Sequence, residues 1–176
     1  MKIGMYVLMA GSIFLLGFSA AKTAEGSLID NKKMTQVGII VEDIDKAAEA
    51  WSNFLGLDEV PGINIAAGHE SRPTAFKGNP SNAKAKLCFF QLDNVTIELI
   101  EPVEGNSTWQ EFLDEHGPGI HHIAFNVDNM EQSVRLFSEA GIHEIQHGGW
   151  GTGEYAYMDA SGSLELIIEL LENYQD

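Results

Sequence analysis

Gln36-Val-Gly-Ile-Ile-Val41 is a short β-branched run whose side chains alternate between two faces, Val37, Ile39 and Val41 on one and Gln36, Gly38 and Ile40 on the other. Apolar residues then recur at helical spacing, at Ile44, Ala47, Ala48, Trp51, Phe54 and Leu55, and Gly56 follows the last of them. The pattern predicts a strand and an amphipathic helix packed on its apolar face.

The same plan returns later in the chain. His122-Ile-Ala-Phe-Asn-Val127 predicts a strand with Ile123, Phe125 and Val127 toward a helix and His122, Ala124 and Asn126 opposite. Asp128-Asn129 supplies the helix cap, Met130, Val134, Phe137 and Ala140 form the stripe, and Gly141 closes it. In this alignment Gln36 falls on His122 and Trp51 on Phe137. The ends of the halves correspond too: Ile97-Glu-Leu-Ile-Glu101 resembles Ile168-Glu-Leu-Leu-Glu172, and Phe89–Asp93 resembles Tyr155–Asp159. Two repeated modules, 35–102 and 119–174, therefore make one domain over 35–174.

Between them, residues 106–116 read as a connecting helix. Ser107 and Gln110 have capping-box spacing, and Trp109, Phe112 and Leu113 form its apolar side. Residues 56–86 carry little periodicity, with room for one short strand near 62–66. His147–Gly153 is Gly-rich and reads as a mobile flap or turn, with Trp150 a candidate substrate contact. Residues 22–34 are small and polar and read as a linker. Ahead of them, Lys2, the apolar run 3–18 and Ser19-Ala20-Ala21 read as an export signal cleaved before Lys22. The domain is then expected to be periplasmic or secreted; an uncleaved membrane anchor is the alternative, since 3–21 is just long enough to span a bilayer.

The last strand of each half contains an anomaly. Ile97 and Leu99 share one face, and so do Ile168 and Leu170, which leaves Glu98 and Glu169 interrupting the opposite apolar faces at equivalent positions. Gln36 and His122 are likewise equivalent, on the non-helix face beside small residues. Taken singly, a strand Glu is commonly solvated and a strand His commonly a hydrogen-bonded core residue. Taken together, buried carboxylates at matching positions call for a shared cation. The candidate is one divalent metal (Zn, Ni, Co, Mn or Mg) held by Gln36, Glu98, His122 and Glu169, each half giving one ligand from its first strand and one from its last. His121 is expected to point away from His122.

Composition narrows the partners. The chain holds 10 Lys+Arg against 26 Asp+Glu, a formal charge of −16, which argues against nucleic acid and anionic membrane surfaces. Cys88 stands alone, so no intrachain disulfide and no Cys-based zinc cluster can form. Once a signal is cleaved, no stable membrane partner is expected.

These residues resemble the vicinal oxygen chelate superfamily, whose members pair βαβββ modules around a metal. Glu98-Leu-Ile-Glu-Pro102, Trp109-Gln-Glu-Phe-Leu113 and Gly119-Ile-His-His-Ile-Ala-Phe125 are similar to the methylmalonyl-CoA epimerase branch. The ligand set Gln36, Glu98, His122, Glu169 instead resembles zinc-type glyoxalase I, because the epimerases usually carry His at the first position. The resemblance implies an α+β fold, two βαβββ modules forming an open, barrel-like mixed sheet with helices on its outer face. It also implies an isomerase or lyase that abstracts a proton next to a carbonyl while a divalent metal stabilises the enolate. Glu169 is then the first candidate base and Glu98 the second; Gln36 does not titrate in the useful range. The implied partner is a small carbonyl or thioester substrate, and a homodimer is compatible with such architectures. One His and two carboxylates differ from the two-His, one-carboxylate set of iron dioxygenases. An exported small-molecule binding protein of the same fold, without catalysis, is the competing reading, and a fosfomycin-type transferase lacks its K⁺ and phosphonate cluster here.

Overall fold

The structure, a computed structural model, describes residues 26–174; the expected signal segment 1–21 lies outside them. Its elements in order are β1 (Met34–Ile40), α1 (Ile44–Leu55), β2 (Ile63–Ala67), β3 (Ala75–Phe76), β4 (Asn79–Pro80), β5 (Lys84–Gln91), β6 (Thr96–Glu104), α2 (Thr108–His116), β7 (Gly119–Asn126), α3 (Met130–Glu139), β8 (His143–Trp150), β9 (Gly153–Asp159), α4 (Ser161–Leu164) and β10 (Ile167–Asn173).

All ten strands join one sheet in the order β2-β5-β6-β1-β7-β10-β9-β8-β3-β4. β1 runs parallel to β6 and β7 parallel to β10, and the modules meet where β1 pairs antiparallel with β7. The sheet is mixed and curls into an open half-barrel, as the paired-module reading expects.

The helices form where the periodicity places them. Asp43 caps α1 by accepting from the Lys46 amide, and Gly56 ends it in the left-handed region at φ 67°. Asn129 caps α3 through the Gln132 amide, and Ser107 caps α2 through the Gln110 amide. α1 and α3 cover the convex face. Val37, Ile39, Val41, Ile97 and Leu99 pack with α1, and Ile123, Phe125, Val127, Ile168 and Leu170 pack with α3. Phe54 departs from its expected stripe: it is 79 % exposed and lies edge-on to Trp51. Leu28 and Ile29, in the stretch expected to be a linker, pack on the α3 core.

α2 does not join the outer layer. Its Trp109 enters a third core cluster with Ile40, Ala83, Ala85, Ile100 and Tyr157, so α2 plugs the concave side. The Trp109 indole N–H donates to the Tyr157 hydroxyl at 2.9 Å.

Residues 56–86 hold the expected strand, β2, and two short ones besides. β3 pairs with β8, placing Ala75 opposite His147, so part of the first module's connector adds to the outer edge of the second. The Gly-rich stretch is not a flap: residues through Trp150 belong to β8, which folds back onto β9 through Gly151 and Thr152. Ladder hydrogen bonds to β9 fix it.

Candidate metal centre

Four strands side by side, β6-β1-β7-β10, carry the site at the seam between the modules. Gly38 lies opposite Glu98 on one side and His122 on the other, and Ala124 lies opposite both Gln36 and Glu169. Small residues thus form the floor under four polar ones. A Cβ on Gly38 would stand within 2.5 Å of His122 Nδ1 and closer still to Cε1 and Nε2, so only glycine leaves room for the ring.

The side chains converge as the sequence implies. Gln36 Nε2 donates to Glu98 Oε2 at 2.6 Å. His122 Nε2 stands 3.1 Å from Glu169 Oε2 and 3.5 Å from Glu98 Oε2. One ligand atom each from Glu98, His122 and Glu169 lie within 4.8 Å of one another. All four residues are buried.

Close approach does not give every atom a hydrogen bond. His122 Nε2 and Glu169 Oε2 are buried with no hydrogen-bond partner, a costly state for groups deprived of water. The electrostatics carry the same tension. Burial pushes the Glu98 carboxyl up, opposed by the nearby His122 imidazole and reinforced by the Glu169 charge. Burial also works against a charged His122, but the two carboxylates outweigh it and push the imidazole up to about 9. Two acidic oxygens and an imidazole nitrogen brought together in a buried site, with an amide beside them, make a donor set that fits a divalent ion.

His121 corrects the alternation argument. β7 carries a bulge against β1, where Gly38 pairs with His122 but Ile39 pairs with Ile120. The extra residue turns His121 to the same side as its neighbour. It is buried, its Nδ1 is 3.0 Å from His122 Nδ1, and its ring packs edge-on to Phe112 and Tyr157. Burial, then the charge of His122, hold it well below the ordinary imidazole range, against a backbone contact from Thr108.

Above the quartet opens a cavity of about 500 Å³, lined by Glu98 and Glu169 at its base, by Trp109, Tyr155 and Tyr157, and by Leu87, Phe89 and Trp150 along its sides. Trp150 thus lines the cavity, 36 % exposed. Beneath it, Gln146 accepts from the Thr108 amide at 2.8 Å and donates to the Tyr155 hydroxyl at 3.1 Å. Periodicity gave no sign of that link, since its partners lie far apart in sequence and on different elements.

Residues 35–157 match the family model described as the glyoxalase/bleomycin resistance protein/dioxygenase superfamily. The chain is 27 % identical over 143 residues to the uncharacterized protein YqjC of Bacillus subtilis, covering 80 % of this chain and 91 % of that one. It is 30 % identical over 121 residues to the mitochondrial methylmalonyl-CoA epimerase of Homo sapiens, covering 68 % of this chain and 60 % of that protein. Its fold is that of the methylmalonyl-CoA epimerase from Mycobacterium tuberculosis, with a TM-score of 0.54 at 22 % identity, covering 85 % and 91 % of the two chains. Family match, shared fold and converged strand residues agree that the chain belongs to the glyoxalase/bleomycin resistance protein/dioxygenase superfamily, the vicinal oxygen chelate proteins.

Proposed function

We propose that the protein is a divalent-metal-dependent isomerase or lyase that removes a proton from the carbon next to a carbonyl. The observation that carries this reading is the pair of orphaned atoms, His122 Nε2 and Glu169 Oε2, buried within one cluster of acidic and imidazole ligands. Gln36, Glu98, His122 and Glu169 would hold the ion, which supplies Lewis acidity to the substrate's carbonyl oxygen as negative charge develops there.

The chain's own residues supply the remainder. Glu169 is the base: its carboxylate lines the cavity and takes the proton. Glu98 also lines it and is the second candidate. Gln36 completes the ligand set without titrating. Trp109 and Tyr157, joined by a hydrogen bond, line the cavity beside the carboxylates. The epimerases among the relatives support an isomerase; this chain's Gln36 and the export signal expected from its sequence point to a substrate of its own.

We further propose that the domain works outside the cytoplasm, a reading that the charged start, apolar run and small-residue site of the first 21 residues support.

Elemental analysis and calorimetric metal titration of the purified chain test the proposal. One divalent ion per chain, lost in His122→Ala, is the expected result. A chain that takes no ion yet binds an apolar ligand tightly is a binding protein instead.

A further inference from the structure

The cavity walls differ in chemistry from its base. Leu87, Phe89 and Trp150 make the sides apolar, and Asn64, Asn126 and Asn173 add neutral amides. The charged side chains that line it are Glu98 and Glu169 alone among the described residues. Cations elsewhere are engaged: Lys46, Arg72, Lys77, Lys84, Lys86 and Arg135 each pair with a carboxylate of the chain. Lys32 and Lys33 precede β1 and do not line the cavity.

Charge arithmetic then decides what the cavity accepts. A divalent ion and two carboxylates cancel, and Gln36 and neutral His122 add nothing. A substrate carboxylate or phosphate would enter an apolar, partly enclosed space without net counter-charge, in a chain of formal charge −16. An uncharged carbonyl compound meets no such cost. Its apolar part lies against Phe89 and Trp150, and a neighbouring hydroxyl finds the asparagine amides.

We propose that this site takes a small, uncharged carbonyl compound with an apolar substituent, an α-hydroxyketone being the simplest case, and discriminates against carboxylates and coenzyme A thioesters. The inference rests on the proposed function and narrows its substrate. In the reaction Glu169 takes the proton from the hydroxyl-bearing carbon and the C–H electron pair moves toward the carbonyl, giving an enediolate. The same carboxylic acid returns the proton to the original carbon, or, once the hydroxyl proton has passed to the former carbonyl oxygen, to the former carbonyl carbon, so that the hydroxyl-bearing carbon becomes the new carbonyl. No oxidant or reductant is consumed.

The test uses the full chain loaded in turn with Zn²⁺, Ni²⁺, Co²⁺ and Mn²⁺, with ion uptake read by calorimetry. The probes are 2-hydroxyacetophenone, its 4-carboxylate and propionyl-CoA. Binding is read by saturation-transfer NMR and α-proton exchange by deuterium uptake from D₂O. The expected result is binding and exchange of the neutral ketone, with the carboxylate at least tenfold weaker. Asn64→Lys, a change at an exposed position on β2, should erase that difference. Equal or tighter binding of the carboxylate or the thioester by the ion-loaded protein overturns the substrate class and leaves the metal reading standing. Binding of no probe by the loaded protein does the same. Binding of the neutral ketone without exchange upholds the substrate class and overturns the catalysis. A chain that takes up none of the ions overturns both.

Discussion

The Nδ1 atoms of His121 and His122 stand 3.0 Å apart, so one ring donates and the other accepts. If His122 is to offer a lone pair at Nε2, its hydrogen sits on Nδ1 and points at His121. His121, held neutral by burial, can accept it. It thereby fixes the tautomer and ring orientation of its neighbour. His121→Phe should weaken ion uptake by about ten- to a hundredfold, and His121→Asn, which keeps an acceptor, should recover part of it. Calorimetric affinities for the two variants distinguish this role from simple packing, which Phe would preserve better.

Gly38→Ala tests the floor of the site. The added methyl overlaps the His122 ring and must displace it. We expect loss of ion uptake together with destabilisation of about 1–3 kcal/mol from overpacking. Urea unfolding alongside a metal titration would show whether the two losses occur together.

Glu169→Gln should retain most of the ion affinity, since the amide keeps an oxygen ligand, while α-proton exchange falls by roughly 10² to 10⁴. Glu98→Gln should leave more of the exchange. The reverse order would make Glu98 the base.

Ion uptake should release a proton at neutral pH. In the metal-free protein the carboxylates raise His122 to about 9, so the ring is charged at pH 7 and must lose a proton to bind. Affinity should therefore fall by roughly tenfold per unit as pH drops below 9. Calorimetry in buffers of different ionisation enthalpy measures the release. The sign for stability follows from the same shift. A raised imidazole stabilises the metal-free fold fully below the unfolded value near 6.5 and loses that contribution as pH climbs through about 9. Glu98, raised chiefly by burial, acts in the same direction. The melting temperature of the metal-free protein should decline from pH 7 to pH 10, and a rise would contradict the assignment.

Gln146 secures the plug helix. It is buried and accepts from the amide of the first residue of α2. Gln146→Leu leaves that amide and the Tyr155 hydroxyl short of a partner and should cost about 1–3 kcal/mol in urea unfolding.

Strand alternation together with the repeat made Gln36, Glu98, His122 and Glu169 legible, because a period of two assigns each side chain to a face before any coordinates exist. The same rule misplaced His121, since one inserted residue in β7 resets the alternation and nothing in Gly119–Phe125 marks a bulge. β3 and β4 escaped because two-residue strands have no period to detect. Composition alone reads the Gly-rich run before Gly153 as a mobile flap or a turn, whereas pairing with β9 and β3 holds all but the Gly151-Thr152 turn as a strand. Phe54 fits the helical spacing of α1 but lies at the margin of the stripe, beyond the reach of the sheet.

The β3–β4 hairpin belongs in sequence to the first module but hydrogen-bonds to β8 of the second. Two halves that share one plan are therefore not interchangeable cassettes. Setting a second copy of the first half in place of the other would remove β8, the strand to which the hairpin is bonded, and either half alone would leave that rim unfinished.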